Sequence, residues 1–220
     1  MVEQRKTSTL IRIIQRYLGA DFKRILVVGC GSGLEAVDLA DAFKAEVIGI
    51  DLVPSFDPLA TTKVNLRIGD ATRLDFPNGY FDLIYSYHVL EHIPRYANAL
   101  SEMARVSMDG GGFLIGTPNR SRWIGYLGSN TASWPQKLAW NWADWRARIR
   151  GRFSNQYGAH AGFLSSELLT ELEKVFTKVN DITILYYQTQ YSSWANLIKL
   201  IGRIGLSQFF FPSIYFMGRK

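Results

Sequence analysis

The sequence predicts an α/β domain built on a doubly wound, mostly parallel sheet, and three observations predict it. Short β-rich runs alternate with helical patterns from Arg24 to Thr117, the order that gives parallel strands joined by crossover helices. The first run, Ile25-Leu26-Val27-Val28, is apolar throughout, as a central strand buried on both faces must be. It leads straight into Gly29-Cys30-Gly31-Ser32-Gly33, a bend tight enough to let backbone approach a ligand.

The elements follow in order. Residues 1–23 are basic, and 8–18 are roughly amphipathic, which predicts an N-terminal helix without the apolar stretch or cleavage site of a signal peptide. Strands are expected at residues 25–28, 46–50, 65–68, 81–85 and 113–117. Helices are expected at 34–45 and 95–106, and Gly110-Gly111-Gly112 marks the turn into the fifth strand. Residues 120–160 break the alternation and read as a helical insert rich in tryptophan and arginine, with no clear strand. Leu168, Leu169, Leu172 and Phe176 recur at helical spacing within 165–176. Residues 181–187 alternate like a strand, and 193–205 read as a cationic amphipathic helix. Residues 211–220 close the chain as an edge strand, with Pro212 at its start where no ladder donor is needed. The total is seven strands in one domain, a size that 220 residues accommodate.

Composition narrows the classes. Hydrophobic residues make up 47% and charged residues 20%, which excludes a disordered chain. Cys30 is the one cysteine, so neither an internal disulfide nor a cysteine metal cluster can form, and a reducing compartment is the natural setting. No segment has the ~18 uninterrupted apolar residues of a membrane span. The expectation is a cytoplasmic protein, with peripheral membrane contact left open. The formal charge of +6 is regional: residues 120–152 hold seven Lys and Arg against the single acid Asp144, and the remainder is neutral.

The candidate ligand site is assembled from strand ends, where open α/β sheets bind their ligands. A G-x-G-x-G loop by itself is weak, and the dinucleotide fingerprint would need glycine where Leu34 stands, which lowers an NAD reading. Asp51 ends the second strand, where a carboxylate can accept from two ribose hydroxyls. Gly69-Asp70-Ala71 follows the third strand and places an acceptor for an adenine amino group. Ser86 ends the fourth, and Tyr87-His88-Val89-Leu90-Glu91-His92-Ile93 follows it.

Taken together, VGCGSG, GIDL, GDA, FDLIYS, VLEHI and GGGFLIGTPN resemble the small-molecule, ubiquinone-pathway-like branch of class I S-adenosylmethionine-dependent methyltransferases, over residues 24–119. The resemblance implies a Rossmann-like fold with S-adenosyl-L-methionine as cofactor, and makes 24–119 the cofactor-binding core and 120–160 a lid. It implies that Gly29, Cys30, Gly31, Ser32 and Gly33 hold the methionine part, Asp51 the ribose, and Leu52, Asp70 and Ala71 the adenine, with Ser86 and His88 beside them. One departure stands out. The family often has an acid two residues before the first glycine, where this chain has Val27, and Glu35 is a candidate substitute. The rival readings are a cofactor-binding regulatory protein without turnover and an NAD-dependent oxidoreductase.

Methyl transfer demands alignment and, for many acceptors, removal of a proton. Histidine suits that task near neutral pH, and His88, His92 and His160 all fall near the expected cleft or its lid. His88 is the first choice of base, and Glu91 and His92 complete the catalytic candidates. In some quinone-pathway relatives this stretch binds a divalent metal; here it reads H-x-x-E-H, and the commoner structural role of the LEH histidine leaves the expectation at no metal. The resemblance and the insert together point to a small acceptor, anionic or linked to a lipid or glycan, with methylation of oxygen favoured over nitrogen or carbon. Arginine suits carboxylate or phosphate and tryptophan suits sugar or prenyl surface. Nucleic acid is the weaker reading, since no base-targeting motif is present. Docking of the insert at an anionic membrane, together with the 193–205 helix, is a third reading, and a solvated helical cap explains the same composition without any ligand. The sequence is silent on oligomeric state.

Overall fold

The computed structural model describes residues 2–123, 125, 132–150 and 162–220. Helix α1 (Val2–Tyr17) precedes strand β1 (Arg24–Val28), followed by α2 (Leu34–Phe43), β2 (Glu46–Asp51), α3 (Pro58–Thr61) and β3 (Asn65–Ile68). Strand β4 (Phe81–Tyr87), a 3-10 turn at Leu90–His92, α4 (Tyr96–Val106) and β5 (Ser107–Pro118) complete the parallel part. After α5 (Trp134–Ile149) come α6 (Ser165–Glu173), β6 (Lys178–Asp181) and α7 (Thr183–Gln190). A second 3-10 turn at Ser192–Trp194, then α8 (Ala195–Arg203), α9 (Ser207–Phe210) and β7 (Ser213–Arg219), end the chain.

The seven strands lie in the order β3-β2-β1-β4-β5-β7-β6, a Rossmann-like mixed sheet with helices on both faces. The order reverses between β1 and β4: the chain builds outward through β2 and β3, then returns to the other side of β1. That reversal opens a crevice at the carboxyl ends of the strands. One apolar layer packs α1, α2 and α7 on the sheet through residues such as Leu10, Ile14, Leu39 and Tyr186. The opposite layer packs α4 and α6 through Leu100, Met103, Leu168 and Leu172. Among the described residues, no helix is long and apolar enough to cross a membrane.

Two expectations are corrected. Residues 183–190 are not a strand but helix α7, and the sixth strand ends at Asp181. The Asp181 carboxylate accepts from the Thr183 backbone N–H (2.8 Å), which turns the chain out of the sheet. Thr183, Tyr186 and Tyr187 are then buried at helical spacing, with the Tyr186 ring stacked on Tyr215 at 4.0 Å. The β-branched and aromatic residues here looked strand-like, but the apolar layer decides the conformation. The last strand is also not an edge. Strand β7 lies between β5 and β6, antiparallel to both, and buries six of its seven residues. Pro212 stands outside it, and the short, exposed β6 forms the edge instead.

Candidate functional site

The crevice at the strand reversal is a cleft of about 590 Å³ lined from four successive strand ends. Val28, Gly29 and Gly31 come from β1 and its loop, Asp51 and Leu52 from β2, Gly69, Asp70 and Ala71 from β3, and His88 from β4. The loop works because Gly29 (φ 72°), Gly31 (φ 52°) and Gly33 (φ 86°) all adopt left-handed backbone. A Cβ on Gly29 would stand 2.0 Å from Val89 Cγ2, so the loop beyond β4 closes directly over it. At Gly31 the same position is open space. A ligand can therefore approach the backbone there.

Asp51 does two jobs. Its Oδ2 accepts from the Gly31 N–H (2.8 Å) and its Oδ1 from the Val53 N–H (3.0 Å), so this carboxylate fixes the glycine loop. Each oxygen keeps a second lone pair for a hydroxyl donor. Leu52 is 66% exposed in the cleft wall, an apolar surface of the kind a flat heteroaromatic ring covers. Hydrogen bonds from the Thr72 backbone N–H and hydroxyl, both 2.8 Å to Asp70 Oδ1, hold the Asp70 carboxyl below its usual range and keep it an acceptor.

Other expected cofactor residues lie elsewhere. The Cys30 side chain is buried among core residues beside Gly49, and burial pushes its thiol up to about 12. Ser32 is exposed and outside the cleft lining, while Gly33 packs on Leu66 and Ala60. Ser86 is buried, and its hydroxyl has no hydrogen-bond partner among the described residues. Val27 is buried, and Glu35 accepts from the Thr7 hydroxyl at 2.9 Å, away from the lining.

The strand-four loop brings together three of the four catalytic candidates. His88 itself has left-handed backbone (φ 56°), uncommon without glycine, and its N–H donates to the Gly116 carbonyl at 2.8 Å. Its ring lies against Tyr87 (4.2 Å between centroids), and Nε2 is hydrogen-bonded to Ser213 Oγ at 3.1 Å. Glu91 is fully buried; its Oε2 accepts from the Thr117 hydroxyl (3.3 Å). Its Oε1 lies 3.7 Å from His88 Nδ1 and 3.8 Å from His92 Nε2. Burial raises the Glu91 carboxyl to about 7, against the lowering pull of the Glu91 backbone N–H, Thr117 and Arg122. His88 and His92 both line the cleft. His160 lies outside the described residues. Among the described residues, no three His, Cys, Asp or Glu side chains are grouped to hold a metal ion.

Sequence reasoning missed Ser213. It reaches His88 only because β7 pairs with β5 so that Ser213 faces Pro118, a long-range register with no local signal. Arg95 and Pro94, which also line the cleft, follow directly on the VLEHI motif and were legible by proximity.

None of the described residues of the insert lines the cleft. Arg122 is buried, donating to the Asn119 carbonyl (2.9 Å) and to Asp144 (3.2 Å), and Arg120 pairs with Glu167 at 3.1 Å. Two of its cations thus serve the fold. The described residues of α5 do not line the 590 Å³ cleft; a separate concavity of about 420 Å³ runs along α5 between Leu138, Trp142, Trp145, Arg146, Ile149 and Arg150.

Comparison with known proteins agrees with this geometry. Residues 26–115 match the family described as methyltransferase domain. A probable chloroplastic tocopherol O-methyltransferase from Oryza sativa subsp. japonica is 35% identical over 104 residues, covering 43% of this chain and 29% of the relative. Ajmaline N-methyltransferase from Rauvolfia serpentina is 29% identical over 126 residues, covering 49% and 43%. These matches span less than half the length of either relative. A SAM-dependent methyltransferase from Archaeoglobus fulgidus shares the fold, with a TM-score of 0.61 at 18% identity over 97% of this chain and 94% of that one.

Proposed function

We propose that this chain is a class I S-adenosylmethionine-dependent methyltransferase that methylates an oxygen of a small acceptor, anionic or linked to a lipid or glycan, with His88 as its base; the match of residues 26–115 to the methyltransferase-domain family supports the reading. The residues present suit the cofactor: an open backbone position at Gly31, the Asp51 carboxylate, the apolar Leu52 wall and the Asp70 acceptor, in strand order along one cleft. When bound, the cofactor supplies an electrophilic methyl group on a cationic sulfur. Everything else falls to the protein. Asp51, which holds the glycine loop, would position the cofactor there, and Val89 lies over Gly29.

The observation that carries the base assignment is the Ser213–His88 contact at the mouth of β4. In the tautomer where Nε2–H donates to Ser213 Oγ, the Nδ1 lone pair accepts the acceptor's proton. The imidazolium so formed has the Glu91 carboxyl 3.7 Å from Nδ1, and a negative Glu91 stabilises it. Support for an anionic acceptor is the cationic excess of residues 120–152. The same reading puts the enzyme in the cytoplasm, where it can meet a membrane at its surface.

Radiolabelled methyl transfer to a panel of phenols, hydroxy acids and polyprenyl phosphates tests this reading. A base-stable ether or a base-labile ester as product supports oxygen; label fixed on nitrogen overturns that choice. With the accepted substrate, His88→Ala should lower turnover by about 10²–10⁴-fold with cofactor affinity held within a few-fold. Ser213→Ala should lower it less. If cofactor affinity collapses and saturated turnover survives, His88 binds cofactor instead.

A further inference from the structure

Helices α5 and α8 expose more apolar surface than a helical cap needs. On α5, Trp134, Leu138, Trp142, Trp145 and Ile149 are all exposed, Ile149 to 82% and Trp142 to 70%. At 100° per residue these five fall within an arc of about 80°, a single stripe along a helix about 24 Å long. Arg146 and Arg150 stand beside it in the concavity along α5. Helix α8 repeats the pattern. It packs on the protein through Ile198, and Gly202 lies against the Ile184 side chain. Leu197, Leu200 and Ile204 occupy another arc of about 60° and are exposed, with Lys199 and Arg203 adjoining. Trp194 is exposed just before it.

The two stripes are joined. Trp123 stacks on Phe209 of α9 at 4.8 Å, and its carbonyl accepts from Trp145 Nε1 at 2.8 Å. Trp123 and Phe210 are themselves half exposed, and α9 is in contact with α8, so exposed apolar side chains recur along the contacts that link α8, α9 and α5. No acid occurs from residue 182 to the last residue, and the one acid of 110–166, Asp144, is paired with Arg122.

We propose that this face docks on a bilayer surface carrying anionic phospholipid headgroups. Indole rings and leucines enter the headgroup–acyl boundary to a depth of roughly 5–10 Å, and the adjoining cations meet phosphates. A second copy of the chain fits the face poorly, because a two-fold contact would set its cations against their own kind. The inference rests on the exposed surface alone and stands whichever acceptor is methylated.

Co-sedimentation of the full chain with phosphatidylcholine vesicles, with and without phosphatidylglycerol, tests it. Binding should require phosphatidylglycerol, weaken with salt, and bring quenching of tryptophan fluorescence by brominated acyl chains. Leu138→Glu with Ile149→Glu on α5, and Leu197→Glu with Leu200→Glu on α8, should each cut partitioning by about tenfold or more. All four positions are exposed, so circular dichroism and S-adenosylhomocysteine binding should stay as in wild type. No binding to anionic vesicles overturns the proposal. So does binding that both double variants retain, which would be charge attraction elsewhere on the molecule. A concentration-dependent dimer abolished by the same variants, without vesicle binding, assigns the face to a second copy and also overturns it.

Discussion

Glu91 shows how one buried side chain ties site chemistry to stability. Its carboxyl lies at about 7 in the folded protein, against an ordinary value of 4.5, because burial disfavours the charged form. A folded-state value above the unfolded one means the native protein binds the proton more tightly. The stabilising contribution is therefore complete below about pH 4.5 and is lost as pH rises through about 7. Urea denaturation across that window should show stability falling with pH, by on the order of 3 kcal/mol at most. Glu91→Gln should remove that fall; a wild-type slope that persists in the variant would assign it to other groups. The same carboxyl faces two imidazoles within 4 Å, so its protonation also sets the field at His88.

Among the elements, the root of the insert is held by several long-range bonds. Asn119 donates through Nδ2 to the Gln208 and Phe211 carbonyls, both at 2.7 Å, and accepts from the Ser121 N–H through Oδ1. Arg122 then ties this root to Asp144 on α5. Both partners are largely withdrawn from water, so removing one takes from the other an opposite charge 3.2 Å away. Arg122→Met should destabilise the protein by about 3–5 kcal/mol in chemical denaturation. Arg122→Met with Asp144→Leu should recover most of that loss, since it removes both charges together. A double variant no better than the single would mean that the hydrogen bond to the Asn119 carbonyl, not the ion pair, carries the stability.

At the scale of the whole molecule, the cleft couples four strands, so a ligand there should stabilise the fold as a unit. S-adenosylhomocysteine at a hundred times its dissociation constant should add about 2.7 kcal/mol to unfolding. Asp51→Ala should weaken its binding by roughly 1–3 kcal/mol, because the variant loses a hydroxyl acceptor and the anchor of the Gly31 and Val53 N–H groups. Calorimetry against NAD in parallel checks selectivity: tighter NAD binding would move the chain to the rival oxidoreductase reading.

By itself the sequence determined whatever rests on contiguous residues. The apolar run at Ile25, the glycines beyond it and acids at successive strand ends are local patterns with local physical causes, so the parallel core, the cleft at its strand ends and the loop carrying His88 were legible from them. Tertiary structure alone decided what depends on partners distant in the chain. Residues 183–190 satisfy a strand or a helix by composition, and only the buried place for Tyr186 against Tyr215 selects the helix. Burial of β7 between β5 and β6, and with it the Ser213 contact to His88, follows from a register set by antiparallel pairing over some hundred residues. The seven basic residues of the insert looked alike in sequence, yet two are consumed by Asp144 and Glu167 because those acids happen to face them in the fold. A residue's type fixes which interactions it can make; its neighbours in space fix which of them it does make.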